Sequence, residues 1–533
     1  MSDKAYNLLD EQFIRCCCND GGVKMHSLKS IFEDSHSVIE IICKNEWERI
    51  SLLRLMQSVL YCSSLFLTLK DCKTLWKQTK FNDQDVKKIH NYLESCREKF
   101  YLIHPKYPFL QTSEDMDEKT ISHIYCLGYE GESSMPFFNH TTNNSGPIDA
   151  IDTVVQLISM QFIVPAGGRG YITSELSGKN IYLIGGNNLF EIISLNTIPY
   201  KTFAASFGED TVDLSDDLPS WESEEKSIAK KIGPINYMTT THRKIKLIPD
   251  GGDTLKFKKM YFSAKNRTEI GYKQYEDTII EPLFCYSRKL VTDKKVDKKI
   301  SKWIPFNVDK NKYRKQLSWI NCHSLINYKN QDIKCPKNIK HATELLKNSC
   351  SFSYPIEVSI SGVKSASIRY IYRSKLPIEL TSNFSLEDNM EIFSDEIRCL
   401  CDEFIKEEKS LKKVINDNFD FVQGKKKEKN DKKSSNSTVT EKYLFSYWSN
   451  VSQKFKNIMV KDIEKSILLK KITECREKNI KICHGISDRI LKSIRKDVGK
   501  RYLENWVKAS NSLKKKRNYK KGVVKNERNK TKK

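Results

Sequence analysis

The sequence predicts an α+β fold: a large, irregular mixed N-terminal domain over residues 1–375, followed by a C-terminal four-helix bundle over 376–512. Three observations predict it. From about Ser385, apolar residues recur at steps of three and four in successive stretches with no strand signal between them. Residues 116–375 carry many Gly, Asn, Thr and aromatic residues, with short β-like runs. The chain has 533 residues, 39% of them hydrophobic, enough for two or three domains with real cores.

In chain order, Ile50 to Leu69 is the longest apolar stretch. Arg54, Gln57 and Ser58 interrupt it, so it reads as a buried helix and not a membrane span. Asn82 or Asp83 then caps a helix whose apolar face runs Val86, Ile89, Leu93, Cys96, Phe100. Asn180-Ile-Tyr-Leu-Ile-Gly185 is a β-like run within a loop-rich body whose strand order the sequence does not assign. Ser385-Leu-Glu-Asp388 resembles a capping box, with Asp in place of Glu or Gln. It opens a helix with Met390, Phe393, Ile397, Leu400 and Phe404 on one face. Leu444, Trp448, Val451, Phe455 and Ile458 mark a second helix. Ile463, Ile467 and Ile472 mark a third, and Ile486, Ile490, Ile494 and Val498 a fourth. The polar insert Gly424 to Ser435, within about 423–440, has nothing to bury and is expected to be disordered. The run after Leu513 (Lys514, Lys515, Lys516, Arg517, Lys520, Lys521) makes 513–533 a disordered basic tail.

Charge and cysteine usage narrow the function classes. The formal net charge is +24, from 91 Lys and Arg against 67 Asp and Glu. Such an excess attracts polyanions, although thin spreading along the chain also fits plain solubility. Sixteen cysteines would suit a secreted disulfide scaffold. The opening MSDKAYNLLDEQF has no apolar signal region, so free thiols in a reducing cytoplasm are expected. No CxxC pair, HExxH, GxxxxGK[ST] or GxSxG motif occurs, which argues against catalysis, a cofactor or a metal. The best enzyme alternative is a metal-dependent nuclease using Pro249-Asp-Gly-Gly-Asp-Thr-Leu-Lys256. Two residues separate Asp253 from Lys256 where such sites have one, and the glycines favour a turn. Asp213-Leu-Ser-Asp-Asp217 reads as a solvated acidic loop.

Five segments resemble, in order, those of the CasA family, the large subunits of type I-E CRISPR Cascade surveillance complexes. They are Tyr6-Asn-Leu-Leu-Asp-Glu-Gln-Phe-Ile14; Phe100-Tyr-Leu-Ile-His-Pro-Lys-Tyr-Pro-Phe-Leu-Gln-Thr112; Gly186-Asn-Asn-Leu-Phe-Glu-Ile-Ile-Ser-Leu-Asn-Thr-Ile-Pro199; Gly233-Pro-Ile-Asn-Tyr-Met-Thr239 ahead of Arg243, Ile245 and Leu247; and Glu441-Lys-Tyr-Leu-Phe-Ser-Tyr-Trp448. The resemblance implies recognition of the protospacer-adjacent motif (PAM) in double-stranded target DNA. It further implies help in opening the duplex for guide RNA pairing. The implied partners are target DNA, crRNA, the backbone, small and crRNA-end subunits of Cascade, and a recruited helicase-nuclease; no membrane is implied. A generic guide-RNA-binding scaffold is the remaining alternative. Some relatives hold a zinc ion through two cysteine pairs, but no cysteine lies between Cys126 and Cys285, so none is expected here.

The same resemblance selects site residues. Phe137, Phe138 and Asn139 fall in a loop that reaches the crRNA end and the PAM; a plain anchored loop is the ordinary reading. Gly167, Gly168, Arg169 and Gly170, in Pro165-Ala-Gly-Gly-Arg-Gly-Tyr171, fall on a glycine loop read against the minor groove. Glycine there allows close backbone approach to a nucleic-acid strand. Lys265 and Arg267 compete for the place of a lysine finger in that groove. Gly362-Val-Lys-Ser-Ala-Ser-Ile368 aligns with a wedge hairpin that commonly presents glutamine. Counting five from Gly362 reaches Ser367, so either Lys364 and Ser365 take part instead or opening relies on duplex bending and torsional stress.

Overall fold

The computed structural model describes residues 6–124, 146–164, 172–208, 213–223, 232–265, 270, 280–293, 298–305, 333–346, 354–365, 368–380, 387–418, 438–454, 465–466, 469–498 and 507–513. The chain divides into two compact units. One comprises Met1–Val308, Gln331–Lys375 and Glu379–Ser385; the other comprises Asp309–Asn330, Leu376–Ile378 and Leu386–Lys533.

The first unit is mixed. It opens with strands β1 (Ile14–Cys18), β2 (Val23–His26) and β3 (Val38–Ile41), antiparallel in the order β2-β1-β3, with the short helix α1 (Ser30–Glu33) between β2 and β3. Helix α2 (Glu46–Cys62) then crosses the core, capped by the Asn45 side chain, which accepts from the amides of Trp47 and Glu48. Nearly every α2 residue is buried, which explains its lack of a polar face. The apolar stretch Ile50 to Leu69 is therefore not one helix. It breaks after Cys62, where Ser64 and Phe66 take positive φ, and Thr68 with Asp71 forms a capping box that starts α3 (Leu69–Gln78). Asn82 likewise forms a capping box with Asp85 and starts α4 (Asp83–Ser95), with Ile89 and Leu93 fully buried. The expected continuation of this face to Phe100 fails. Cys96 leaves helical geometry and residues Arg97–Phe100 wind into a 3₁₀ turn.

Four further pieces build the rest of this unit. Strands β4 (Glu118–Thr120), β5 (Ile148–Asp149), β7 (Arg243–Pro249) and β8 (Lys256–Ala264) form one sheet. In it β7 pairs along one edge of β8, while β4 and β5 pair along β8 at Lys259–Tyr261 and Lys256–Phe257. Helices α5 (Ala150–Phe162), α6 (Leu189–Asn196), α7 (Tyr200–Ala204), α8 (Pro234–Thr239) and α9 (Lys337–Leu346) pack around α2 and the sheets. Strands β9 (Tyr286–Asp293), β10 (Lys298–Pro305) and β11 (Ile333–Lys334) form a small antiparallel sheet in the order β10-β9-β11. Strand β6 (Asn180–Ile184), the run the sequence marks as β-like, pairs with β12 (Tyr354–Ser365), and β12 pairs with β13 (Ile368–Leu380).

Apart from Leu376–Ile378, which belong to β13, the described residues of the second unit are mostly helical. Helices α10 (Glu387–Asn418), α11 (Thr438–Lys454) and α12 (Ile472–Val498) pack on one another, and residues 507–513 add a short helical segment. The expected faces supply its core: Leu400, Phe404, Leu444, Trp448, Val451, Ile486, Ile490 and Ile494 are all buried. Tyr447 Oη donates to the Phe404 carbonyl at 3.0 Å, and Arg476 Nε to Glu396 at 2.9 Å, tying α10 to its neighbours. Two helix assignments change. Lys470 has φ 54, which ends the preceding turn, so Ile472 opens α12 and is not the close of a separate helix. Consequently α12 starts well before Ile486. Ser385, Phe455, Ile458, Ile463, Ile467, the insert and most of the tail lie outside the described residues.

Candidate nucleic-acid interface

A glycine-rich loop can hold a shape against a ligand only if its ends are held. Here they are. As α5 ends, Val164 and Ser174 bridge each other: Ser174 N donates to Val164 O at 3.0 Å, and Val164 N donates to Ser174 Oγ at 3.0 Å. Both residues are buried. Residues Pro165–Tyr171, and with them Gly167, Gly168, Arg169 and Gly170, lie outside the described residues.

The stem of that loop is tied to the start of β7. Arg243, only 2% exposed, donates through Nη1 to the Ile172 carbonyl at 2.9 Å and to the His242 carbonyl at 2.9 Å. Gln161, fully buried in the last turn of α5, makes four bonds across the same junction. Its Nε2 donates to Leu110 O at 2.8 Å and Arg243 O at 3.0 Å, and its Oε1 accepts from the amides of His242 and Arg243, each at 3.0 Å. His242 Nδ1 lies 2.6 Å from the Gln161 carbonyl, an acceptor, so the proton sits on Nδ1.

Lys265 joins this frame from the other side. Arg243 pairs in register with Ala264, the last residue of β8, and Lys265 follows it. Lys265 Nζ donates to Thr241 Oγ1 at 2.6 Å. The loop stem and Lys265 therefore meet at one three-residue segment, Thr241–Arg243. Arg267 lies outside the described residues. The segment bearing Phe137, Phe138 and Asn139 also lies outside them, but its flanks are placed: β4 before it and β5 after it both pair with β8.

The wedge candidates sit on an antiparallel hairpin. Ser365 pairs with Ile368, and Ala366 and Ser367 between them lie outside the described residues. Lys364 and Ser365 close β12, while Ser367 lies outside the described residues. Strand β6 supports β12 only over Ile356–Ile360. From Ser361 to Ser365, among the described residues, β12 pairs with β13 alone, about 17 Å at the rise of a strand.

The residues that carry the family likeness are structural. Phe100 and Phe109 stack at 5.2 Å, both against Trp221. His104 Nδ1 accepts from the amides of Lys106 at 3.1 Å and Tyr107 at 2.8 Å. Gln111 bridges Leu102 O at 2.7 Å and the Leu247 amide at 2.8 Å. Gly233 must be glycine because a Cβ there would lie 2.3 Å from Asp217 Oδ2. Asp217 is thereby corrected from a solvated acid to a buried one, 2% exposed. It accepts from Tyr200 Oη at 2.9 Å and from the amides of Ile235 and Asn236, each at 2.8 Å. Burial pushes its carboxyl up to about 6, against the pull of these hydrogen bonds.

The nuclease alternative finds a turn. Gly251 has φ 75, Asp250 N donates to Lys256 O at 2.9 Å, and the segment simply joins β7 to β8. Among the described residues, no group of three His, Cys, Asp or Glu is placed to hold a metal ion. None of their helices is long and apolar enough to cross a membrane.

Comparison with known proteins decides the family. The model of the CRISPR-associated protein Cse1 family matches residues 7–480. The chain belongs to the Cse1 family. The curated CRISPR-associated protein CasA/Cse1 of Thermus thermophilus is 27% identical over 226 residues, 41% of this chain and 42% of that relative, so the aligned part spans under half of its length. The crystal structure of Cse1 from Acidimicrobium ferrooxidans superposes with TM-score 0.69 at 13% identity, covering 97% of this Cse1-family chain and 98% of that one. A chain of a CRISPR RNA-guided surveillance complex superposes with TM-score 0.60 at 14% identity, covering 90% and 99%. At these identities the superpositions establish the fold of this Cse1-family chain.

Sequence reasoning missed the frame. The sequence motifs point to none of Gln161, His242 and Ser174, and Arg243 figures only as part of a family signature. One signal exists: Gln161 is one of three polar residues, with Gln156 and Ser159, in the otherwise apolar run from Val154 to Val164.

Proposed function

We propose that this chain is the large, non-catalytic subunit of a type I-E Cascade, acting in the cytoplasm on double-stranded target DNA. It reads the PAM, promotes R-loop formation with crRNA, and serves as the landing point for the helicase-nuclease. Its contacts within the complex are the backbone, small and crRNA-end subunits. The observation that carries the reading is the shared frame at Thr241–Arg243, to which the stem of the glycine-rich loop and Lys265 are both bonded. Such a pair suits the minor groove, where side-chain codes are degenerate and width and backbone approach are informative. Gly167, Gly168, Arg169 and Gly170 form the reading loop, and Lys265 or Arg267 donates to base edges. Phe137, Phe138 and Asn139 face the crRNA end, and Lys364, Ser365 and Ser367 form the wedge. No residue turns over substrate, and no cofactor or metal is required.

The test is target binding by reconstituted Cascade, with and without this chain, across a library of flanking trinucleotides. Binding should depend on the flank only when the chain is present. Gly168→Phe should weaken the preferred flank by about tenfold or more, the range of one lost base-pair contact. Equal binding to every flank defeats the reading. Mg²⁺-dependent cleavage by the purified chain would favour the nuclease alternative, and tight solitary binding of guide RNA the scaffold alternative.

A further inference from the structure

A hairpin that projects beyond its sheet is aimed at its root. In β12–β13 the ladder is irregular at that root. Pro355 faces Glu379 and Glu357 faces Lys375, so one residue on β12 stands against three on β13. Backbone pairing between the two strands is interrupted there, as at a bulge. Glu357 sits at this break, 3% exposed, and its Oε2 lies 3.5 Å from Arg49 Nη2.

Arg49 is also buried, at 5% exposure, and is fixed from its own helix. Glu46 accepts from Arg49 Nε at 3.0 Å and from Nη2 at 2.8 Å. Both residues lie in the first turn of α2, which Asn45 caps. A guanidinium is a planar fork with directional donors, so Glu46 fixes the Arg49 head group, whose same Nη2 faces Glu357 at the ion-pair distance of 3.5 Å. Removed from water, such a pair contributes more to specifying one arrangement than to net stability.

The lever is long. Ser365 lies five residues beyond Ile360, the last residue paired with β6, about 17 Å along a strand, so a tilt of about 10° there moves the end of β12 by about 3 Å.

We infer that the Arg49–Glu357 pair is a positioning device that aims the β12–β13 hairpin and thereby sets the efficiency of duplex opening without touching nucleic acid. The inference rests on reading this hairpin as the wedge. Both residues act through the hairpin, so their loss should separate opening from PAM recognition.

The test uses Cascade assembled with the full chain, wild type or Glu357→Gln, which keeps size and an acceptor oxygen but removes the charge. Three quantities are read. They are affinity for a duplex with the preferred flank but no guide match, opening rate on a matched target from 2-aminopurine beside the flank, and the same rate on a pre-opened bubble. Glu357→Gln should leave the first within about twofold, slow the second by about tenfold and restore the third, as expected for misplacement of a remote support. Arg49→Lys, which keeps charge and loses the fork, is read in the same way and decides the matter if the glutamine variant does not fold. An unchanged opening rate overturns the inference. So does a joint fall of affinity and opening that the bubble does not rescue. Failure of the subunit assignment looks different: the wild-type complex itself would show no flank preference, or would open targets equally well without the chain.

Discussion

Replacing Gln161 by leucine tests the frame beneath the proposed reading loop. The substitution is close in size and apolar, so it removes hydrogen bonds with little change in volume. Four backbone groups lose a partner: the amides of His242 and Arg243 and the carbonyls of Leu110 and Arg243. An orphaned buried donor or acceptor costs about 1–3 kcal/mol, the amides more than the carbonyls, which keep a second lone pair. Leucine recovers part of this through apolar burial, leaving about 3–5 kcal/mol. Gln57 supplies the internal comparison. It is also buried, and its Nε2 donates once, to Asn196 O at 3.1 Å, so Gln57→Leu should cost about 1–2 kcal/mol. Urea denaturation of the purified chain, followed through the transition of the N-terminal unit, measures both. Below that transition, the flank preference of the assembled complex should fall for Gln161→Leu and stay for Gln57→Leu. Equal destabilisation by the two variants would refute the reasoning, since the four-bond junction would then be worth no more than one bond.

Gly233→Ala should destabilise the first unit by about 2–4 kcal/mol in the same melts, because relief of a 2.3 Å contact requires moving a carboxylate held by three hydrogen bonds. Asp217 sets a pH dependence of unusual sign. Its carboxyl is raised from 3.8 to about 6, so the folded state holds a proton that the unfolded chain releases between these values. Its contribution therefore stabilises below pH 4 and is lost as pH rises through 6, by about 3 kcal/mol at most; Asp217→Asn should abolish this slope in melts from pH 4 to 7. Gly485→Ala should raise the stability of the helical unit by about 0.5–1 kcal/mol in calorimetry, since Gly485 lies inside α12 with nothing within 4 Å of an added Cβ.

Local features were legible in the sequence and long-range ones were not. Asn82 announces a helix because a cap and its first turn are neighbours, and the heptad-like spacing around Leu444 and Trp448 exposes a buried face within one element. Asp217 illustrates the opposite. Among Asp213, Asp216 and Asp217 nothing local distinguishes the buried carboxylate; its burial comes from Gly233 and Tyr200, each brought to it by the fold. The same holds for β6 and β12, which pair across about 170 residues of intervening chain and could not be ordered from their own composition. At the candidate site the sequence named loop tips, Phe137–Asn139, Gly167–Gly170 and Ser367, through family likeness. It overlooked Gln161 and His242, because a buried backbone-binding amide and an imidazole against a carbonyl look like ordinary polar residues until their partners are placed.

The junction at Thr241–Arg243 separates what is held from what is exposed to change. Its bonds run almost entirely to main-chain atoms, and the described partners all lie outside the seven positions from Pro165 to Tyr171. On the proposed reading, changes among the non-glycine positions of that loop would alter what is read while the mounting beneath it stays as it was.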